Sequence, residues 1–396
     1  MVFVLLFGLG LIGTISSTIF LVLAVLGVWK FRIAGHRQSA ESSALGAQLL
    51  PPVSILKPLH GLEARLESNL ESFFKQDYPR FEVLFGVDEA DDAALPVAER
   101  VCAKYPEIPS RILVTGKPAW PNPVASSFFR LAEAAQYEIL VTSDSDVLVG
   151  PDYLRSVAPP LTDPKTGMLT CVYRGLAAGG FWSSIDSIGM SIEMTAGVLV
   201  ANLIEGMKFG LGPTIVVRKD ALEAIGGYEF LGHYVSNDFV LGKEIAKAGY
   251  KIVLSPYIIS HVAPPMTFTK MWRRHLRWAI GTRYSRPKGH FGSGLVFAIP
   301  YGLMSLAGGI LLDQPFAGVL LAAWSVLNRA LESLLIGWGI TRDPECLRKP
   351  WLFPLRDLLG FTVWVASYLA SASHWRVGRF HFAEDGRMVL AAPDEP

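Results

Sequence analysis

Residues 138–147 read EILVTSDSDV, an apolar run of strand length that ends in two aspartates, Asp144 and Asp146, with one residue between them. A short apolar run closed by polar turn chemistry predicts a buried strand. The same alternation repeats toward the N-terminus. VSILK at 53–57 is strand-like, and Leu62, Leu66, Leu70 and Phe73 then recur at helical spacing until Asp77-Tyr78-Pro79 stops them. FEVLFGV at 81–87 is a second strand, followed by a helix over about 92–104, the strand RILVT at 111–115 and a helix near 124–135. This βαβαβαβ order predicts an α/β domain in which helices sandwich a parallel sheet, with ligands bound outside the carboxyl ends of the strands.

Those ends carry the acidic groups. Lys57 closes the first strand, Asp88, Asp91 and Asp92 follow the second, and Asp144 and Asp146 follow the fourth. Two carboxylates one residue apart just past an extended strand can both face one ion. Hard oxygen ligands suit Mg²⁺ or Mn²⁺ that keeps positions open for a diphosphate. An Asp-x-Asp can also be a solvated turn or a helix cap, and placement behind a buried strand favours the ion. Asp91 is read as the cap of the helix that begins there, whereas Asp92 serves either as a cap or as a ligand contact. Lys57 is either solvated or a contact to a diphosphate or base.

The second half holds a strand at 168–173, a mixed stretch at 181–205, a strand at 213–218 and a helix ending at Gly226-Gly227. In the mixed stretch, Phe181, Trp182, Ile185, Ile188 and Ile192 form an apolar face for a core or for a membrane surface. Ser236-Asn237-Asp238-Phe239 opens a helix lasting to Lys247, which puts Asp238 in its first turn. There it either complements the helix dipole or acts as a general base. A helix at 268–284 carries Trp272, Arg273, Arg274, Arg277, Trp278 and Arg283. Arg274 and Arg277, three apart, share one face beside Trp278. Guanidinium forks grip diphosphate oxygens, and juxtamembrane arginines also bind anionic headgroups.

The 396 residues are 51% hydrophobic and 18% charged, with 36 basic against 35 acidic side chains and a mean hydropathy of +0.35. That excludes a disordered chain and a nucleic-acid-coating protein, so no nucleic-acid partner is expected. The apolar excess is concentrated in segments. Residues 2–29 contain no charged side chain and are long enough to cross a bilayer. Without a charged leader or a small-residue cleavage site, 1–30 read as an anchor rather than a signal peptide. Lys30, Arg32 and Arg37 follow it and place the next residues in the cytosol. Residues 31–52 read as a linker, 53–285 as one domain, 286–376 as a membrane region and 377–396 as a tail. Within the membrane region, 294–312 and 315–340 read as spans, the second carrying Asn328, Arg329 and Glu332, with Arg329 and Glu332 placed to neutralise each other. The segment 358–373 has 16 uncharged residues and either crosses or re-enters. Re-entry keeps Arg376, Arg379 and Arg387 on the side of Arg342, Arg348, Lys349 and Arg356. Cys102, Cys171 and Cys346 lack metal-ligand spacing and are odd in number, which predicts free thiols in a reducing compartment.

Taken together, Asp91-Asp92, Asp144-Ser145-Asp146, Asn237-Asp238 and Arg274-His275-Leu276-Arg277-Trp278 resemble the D, D, D, (Q/R)xxRW signature of processive and lipid-linked inverting glycosyltransferases with the GT-A fold. VSILKPLHG at 53–61, the run NLESFFKQDYP at 69–79 and the preceding anchor narrow the likeness. They resemble the ceramide glucosyltransferase family, including bacterial relatives that glycosylate hopanoid lipids. The likeness covers residues 1–285 in order and spacing. It implies a GT-A nucleotide-sugar-binding domain with an N-terminal transmembrane anchor and C-terminal transmembrane or interfacial helices. The implied donor is a UDP-sugar, UDP-glucose or UDP-N-acetylglucosamine, and the acceptor a ceramide, a hopanoid polyol or diacylglycerol. It further implies a multi-pass protein of the bacterial inner membrane with its catalytic domain in the cytosol. Residue by residue, it implies a divalent cation at Asp144 and Asp146, Asp92 near the uridine, Asp238 as base, and Arg274, Arg277 and Trp278 at the diphosphate and acceptor. Two departures stand out. Where the family commonly has Asn-Pro-Lys and an Asn pair, this chain has Asn122-Pro123-Val124-Ala125-Ser126-Ser127, and Glu193 stands where the animal enzymes carry a histidine. A processive polysaccharide synthase shares the four motifs, but few spans leave little material for a polymer channel. A transporter, suggested by Arg329 and Glu332, leaves the α/β domain without a purpose.

Overall fold

The structure is a computed structural model that describes residues 1–44, 49–370, 372–375, 378–383 and 386–390. Residues 45–48 of the expected linker, Arg376, and 391–396 of the expected tail lie outside the described residues. The chain forms two compact units, one made of 31–178, 205–264 and 372–396, the other of 1–30, 179–204 and 265–371.

The first unit is built on strands β1 (Val53–Leu59), β2 (Phe81–Val87), β3 (Ser110–Val114), β4 (Ile139–Ser143), β5 (Val147–Leu148), β6 (Thr166–Ala177), β7 (Thr214–Arg218) and β8 (Lys251–Ala263). They form one sheet in the order β3-β2-β1-β4-β7-β6-β8-β5. As the alternation predicts, β1, β2, β3 and β4 are parallel neighbours. Every residue of β2 and β4 is buried, which is why these strands read as continuous apolar runs. Beyond β4 the sheet is mixed rather than parallel: β7 runs antiparallel to β4 and to β6, while β6 and β8 are parallel. Burial on both faces removes the alternation that marks a one-sided strand, so the apolar pattern carries no direction. Strand β8 carries no continuous strand signal, because Pro256 and His261 interrupt its apolar run.

Leu56, Leu84, Leu131, Leu140, Val217 and Ile245 pack in one buried cluster between the sheet and its helices. Each such side chain contributes about 1.5–3 kcal/mol by leaving water. Three further strands make a small antiparallel sheet: β9 (Ala372–Trp375) at the end of the expected membrane region, and β10 (Gly378–Phe382) and β11 (Met388–Leu390) in the expected tail. All three cysteines are free thiols.

Among the described residues, three helices are long and apolar enough to cross a membrane: Val2–Ala40, Phe181–Glu205 and Pro315–Trp338. The first belongs to a helix that continues to Ala44 through residues expected to be linker. Propagating a formed helix costs little once its nucleus exists. Phe181–Glu205 resolves the mixed stretch as one long helix with a wide turn at Gly189–Met194, and Ile185, Ile188 and Ile192 on it are at most 1% exposed. The expected span 294–312 is instead broken, with helices Pro287–Gly294 and Ile299–Leu311 meeting at 46°. Asp357 explains the break: its Oδ2 accepts from the amides of Ala298 and Ile299 at 2.9 and 2.7 Å, capping the second helix from outside. Arg329 Nη1 lies 2.7 Å from Glu332 Oε2 and 3.3 Å from Asp357 Oδ1, so the charges carried by this candidate span are paired. Helix Leu352–Leu369, which holds most of the short segment, is not among the three candidate spans.

Candidate active site

Strand β4 ends at Ser143, and the loop that follows is braced from below by buried groups of three other elements. Lys57, fully buried in β1, donates from Nζ to the Asp144 carbonyl at 2.7 Å and to Ser143 Oγ at 3.3 Å, over the Phe73 ring. Burial pulls its ammonium down to about pKa 7 against the opposing pull of Asp144, Asp146 and Glu63. Lys57 therefore supports the acidic loop from the core side. Asn69 Nδ2 donates to the Ser145 carbonyl, and Ser145 Oγ donates to Glu63 Oε2 at 2.6 Å. His261, near the end of β8, places Nε2 2.9 Å from Asp146 Oδ2. No sequence signal linked it to Asp146, since 115 residues separate the two.

The Asp144 carboxyl is raised to about pKa 7, first by burial and then by the charge of Asp146. A site that resists holding two negative charges is one that a divalent cation relieves. Among the described residues no group of three or more His, Cys, Asp or Glu side chains has metal-holding geometry. Two carboxylates with the remaining positions left to diphosphate and water is the arrangement Mg²⁺ and Mn²⁺ accept, so the donor set fits such an ion.

The loop before β7 joins this acid pair to a third carboxylate. The Asp144 amide donates to the Pro213 carbonyl at 3.2 Å. The next residue back, Gly212, donates its amide to Asp238 Oδ2 at 2.8 Å, and the Phe239 amide donates to Oδ1 at 2.8 Å. Asp238 opens helix Asn237–Lys247 as its position in the sequence predicts, and burial raises its carboxyl above the usual range. A Cβ on Gly212 would lie 3.1 Å from Asp238 Oδ2, so glycine permits the approach.

The aspartates after β2 divide. Asp88 lines a hollow with Thr115, Lys117, Ser126, Ser127 and Arg130, and accepts from Thr115 Oγ1 and Ser127 Oγ at 3.2 Å each. Lys117 brings a cation to this hollow although Val124 replaces the lysine of the resembled motif. Asp92 is spent on the backbone: Oδ1 accepts from Ala94 N at 2.8 Å and Gly61 N at 2.9 Å. Asp91, read as the cap, is exposed, and the adjoining helix Leu95–Lys104 starts three residues later than expected. Asp92 reaches the amide just ahead of that helix and the Gly61 amide beyond β1, and the helix itself starts without a side-chain cap.

In the other unit, helix Phe268–Ser285 carries the arginine motif. The Arg274 guanidinium lies over the Trp278 ring at 4.6 Å, and its Nη1 is 3.3 Å from Asp186 Oδ2. Asp186 is fully buried, and its Oδ1 is 2.8 Å from His275 Nε2. Part of Arg274's charge is thus met within the protein. Arg277 lies half-buried one turn further on. Arg356 Nη2 reaches His275 Nδ1 at 3.5 Å, and its Nε is 2.9 Å from Glu193 Oε2.

An α/β domain that gathers acids at strand ends, with an Asp-x-Asp behind a buried strand, is here that of a GT-A glycosyltransferase acting on sugar-nucleotide donors, as the family match and the fold likeness show. Residues 12–388 match glycosyl transferase family 21, and the chain belongs to that family. Ceramide glucosyltransferase 1 of Caenorhabditis elegans is 27% identical over 348 residues, covering 86% of this chain and 73% of the relative. Ceramide glucosyltransferase 3 of the same organism is 25% identical, covering 91% and 77%. Among solved structures, a mannosyltransferase from Pyrobaculum calidifontis, in complex with GDP-Man and Mn²⁺, superposes with a TM-score of 0.50 at 19% identity. That alignment covers 91% of this chain and 98% of the other, and it speaks for the shared fold.

Proposed function

We propose that this chain transfers a hexose or N-acetylhexosamine from a UDP-sugar to a hydroxyl of a membrane lipid, a ceramide or hopanoid polyol, with inversion at the anomeric carbon. The observation that supports this most is the Gly212-Pro213 junction, which holds the Asp144 loop by one residue and the Asp238 carboxylate by the next. An inverting displacement needs a base near the acceptor and positive charge on the departing diphosphate, close to each other. Asp238 takes the proton of the lipid hydroxyl while its oxygen bonds to the anomeric carbon, and UDP leaves with the electron pair of the broken bond. General-base assistance of this kind is worth about 10²- to 10⁴-fold. A divalent cation, when held by Asp144 and Asp146, supplies charge against the leaving diphosphate. Asp88 and its hollow receive the nucleoside side of the donor, and Arg274, Arg277 and Trp278 serve the diphosphate and acceptor.

The membrane helices suit a lipid acceptor. Withdrawing an acyl chain from the bilayer costs about 0.8 kcal/mol per CH₂, so the enzyme must work where the lipid already is. The basic residues after the first candidate span support a cytosolic catalytic unit.

The test is to express the chain in a host lacking glycosphingolipids and hopanoids. Its membranes are then incubated with labelled UDP-glucose or UDP-N-acetylglucosamine and each candidate lipid. Label in one organic-phase product names donor and acceptor. Label only in a long water-soluble polymer, or none in any product, overturns the proposal.

A further inference from the structure

The loop 232–236, which delivers Asp238 to its helix, is held by main-chain bonds from two sides. Its three successive carbonyls each meet a donor from elsewhere. The Gly232 carbonyl accepts from the Asn122 amide at 2.9 Å, the His233 carbonyl from the Met388 amide at 2.7 Å, and the Tyr234 carbonyl from Asn122 Nδ2 at 2.7 Å. Tyr234 and Arg387 also form an antiparallel bridge. A Cβ at Gly232 would stand 2.7 Å from the Trp120 side chain, so the loop is pressed against the segment leading to Asn122. At its far end Ser236 gives helix Asn237–Lys247 no side-chain cap, and the start of that helix depends on what holds the loop.

Asn122 is fully buried and has a second duty. Its Oδ1 caps helix Pro123–Ala134 by accepting from Val124 N and Ala125 N at 3.0 and 3.1 Å. Serine, threonine or aspartate would cap as well, because a cap needs only the oxygen. Only asparagine keeps an amide donor to spare, and that donor is spent on the loop. The other side of the loop is held by β11, whose small sheet is anchored by Phe380, 0% exposed, and Met388, 5% exposed. The Met388 amide points away from β10 toward His233, so the outer edge of β11 serves the loop.

We infer that Asn122 and β11 form a two-sided clamp on the loop before Asp238, making Asn122 a positioning residue for the transfer step. The strands that follow the membrane helices in sequence thereby belong to the apparatus that places the base. Because helix Pro123–Ala134 also carries Ser126, Ser127 and Arg130 of the hollow, one side chain ties the donor side of the sheet to the base. The inference rests on Asp238 being the base, as proposed above.

Two full-length variants test it from opposite sides. Asn122→Ser keeps a capping oxygen and removes the Nδ2 donor; Met388→Pro removes the one amide given to His233 and leaves the helix cap untouched. Turnover per folded enzyme with a lipid acceptor should fall about tenfold in each, since sub-ångström misplacement of a reacting group costs rate steeply. The KM for the sugar nucleotide should stay within about threefold, on the same reasoning about placement rather than binding. Hydrogen exchange at the amides of 233–238 should quicken in both variants, with the remaining sheet amides unchanged. Parental turnover and parental exchange in both variants overturn the clamp and leave the proposed function standing. Equal losses in turnover and donor binding, with exchange raised throughout the sheet, overturn it as well, since that is general destabilisation. A parent chain that transfers no sugar to any lipid overturns the proposed function instead, and the exchange at 233–238 then decides the clamp alone.

Discussion

Replacing Asp238 by asparagine separates chemistry from folding, because the structure allows the effect on each to be worked out. The two carboxylate oxygens each accept one amide, from Gly212 and from Phe239. Asparagine retains one acceptor oxygen, so one partly buried amide loses its partner at a cost of up to about 1–3 kcal/mol. Against that stands a gain. The folded pKa is raised by burial, so this carboxyl contributes stability that is present below its ordinary pKa and lost as pH rises through the folded value. Wherever the group is ionised it is therefore a burden that asparagine removes. The two contributions oppose each other, and stability should lie within about 2 kcal/mol of the parent. Turnover has no such offset. An amide cannot take the acceptor's proton, so the rate should fall at least 10²-fold, equivalent to about 2.7 kcal/mol of barrier. The raised pKa also fixes the pH profile: turnover of the parent should fall as pH drops through a value above the normal carboxylate range, since a protonated carboxyl is no base. The assay is the initial rate of label entering the lipid phase, alongside donor binding followed by calorimetry. An Asp238→Asn chain that binds donor normally and turns over within about threefold of the parent would refute the role of Asp238.

Three other perturbations read neighbouring features. Gly212→Ala puts a Cβ 3.1 Å from Asp238 Oδ2; turnover should drop about tenfold with donor KM unchanged, and an unaffected rate would show that the carboxylate tolerates displacement. His261→Ala releases Asp146 from its 2.9 Å partner, which should raise the Mn²⁺ concentration for half-maximal activity about 10- to 100-fold, measured by titrating chelated enzyme. In the second unit, Asp186→Asn removes a fully buried carboxylate from Arg274 and His275. The loss should be about 3–5 kcal/mol in a detergent unfolding assay, and a parental melting curve would show that the pair adds nothing.

What could be read from the residues, and what could not, follows from how far each signal reaches along the chain. Strands β1 to β4 were legible because each is a buried apolar run bounded by its own stop signals, and their parallel order follows from the intervening helices. The aspartates closing those strands inherit that clarity. The direction of β7 was hidden, because a strand buried on both faces looks the same read either way. Other partnerships were invisible for a different reason. His261 meets Asp146 across 115 residues, and Asp186 sits inside an apolar helix where nothing nearby announces that it will neutralise Arg274.

Asn122 shows the limit most clearly. In sequence it belongs to a motif from which this chain departs at Val124, and attention falls on the missing lysine rather than on the asparagine that remains. The reason asparagine stands there lies in a carbonyl at Tyr234, 112 residues away. Capping alone would have admitted serine or aspartate, so the choice of residue encodes a tertiary contact that local chemistry leaves free. The same logic applies at Gly212, where the missing side chain is explained only by the carboxylate of Asp238 above it. At both positions a residue that looks ordinary in the sequence answers to a partner elsewhere in the chain, the Tyr234 carbonyl for Asn122 and the Asp238 carboxylate for Gly212.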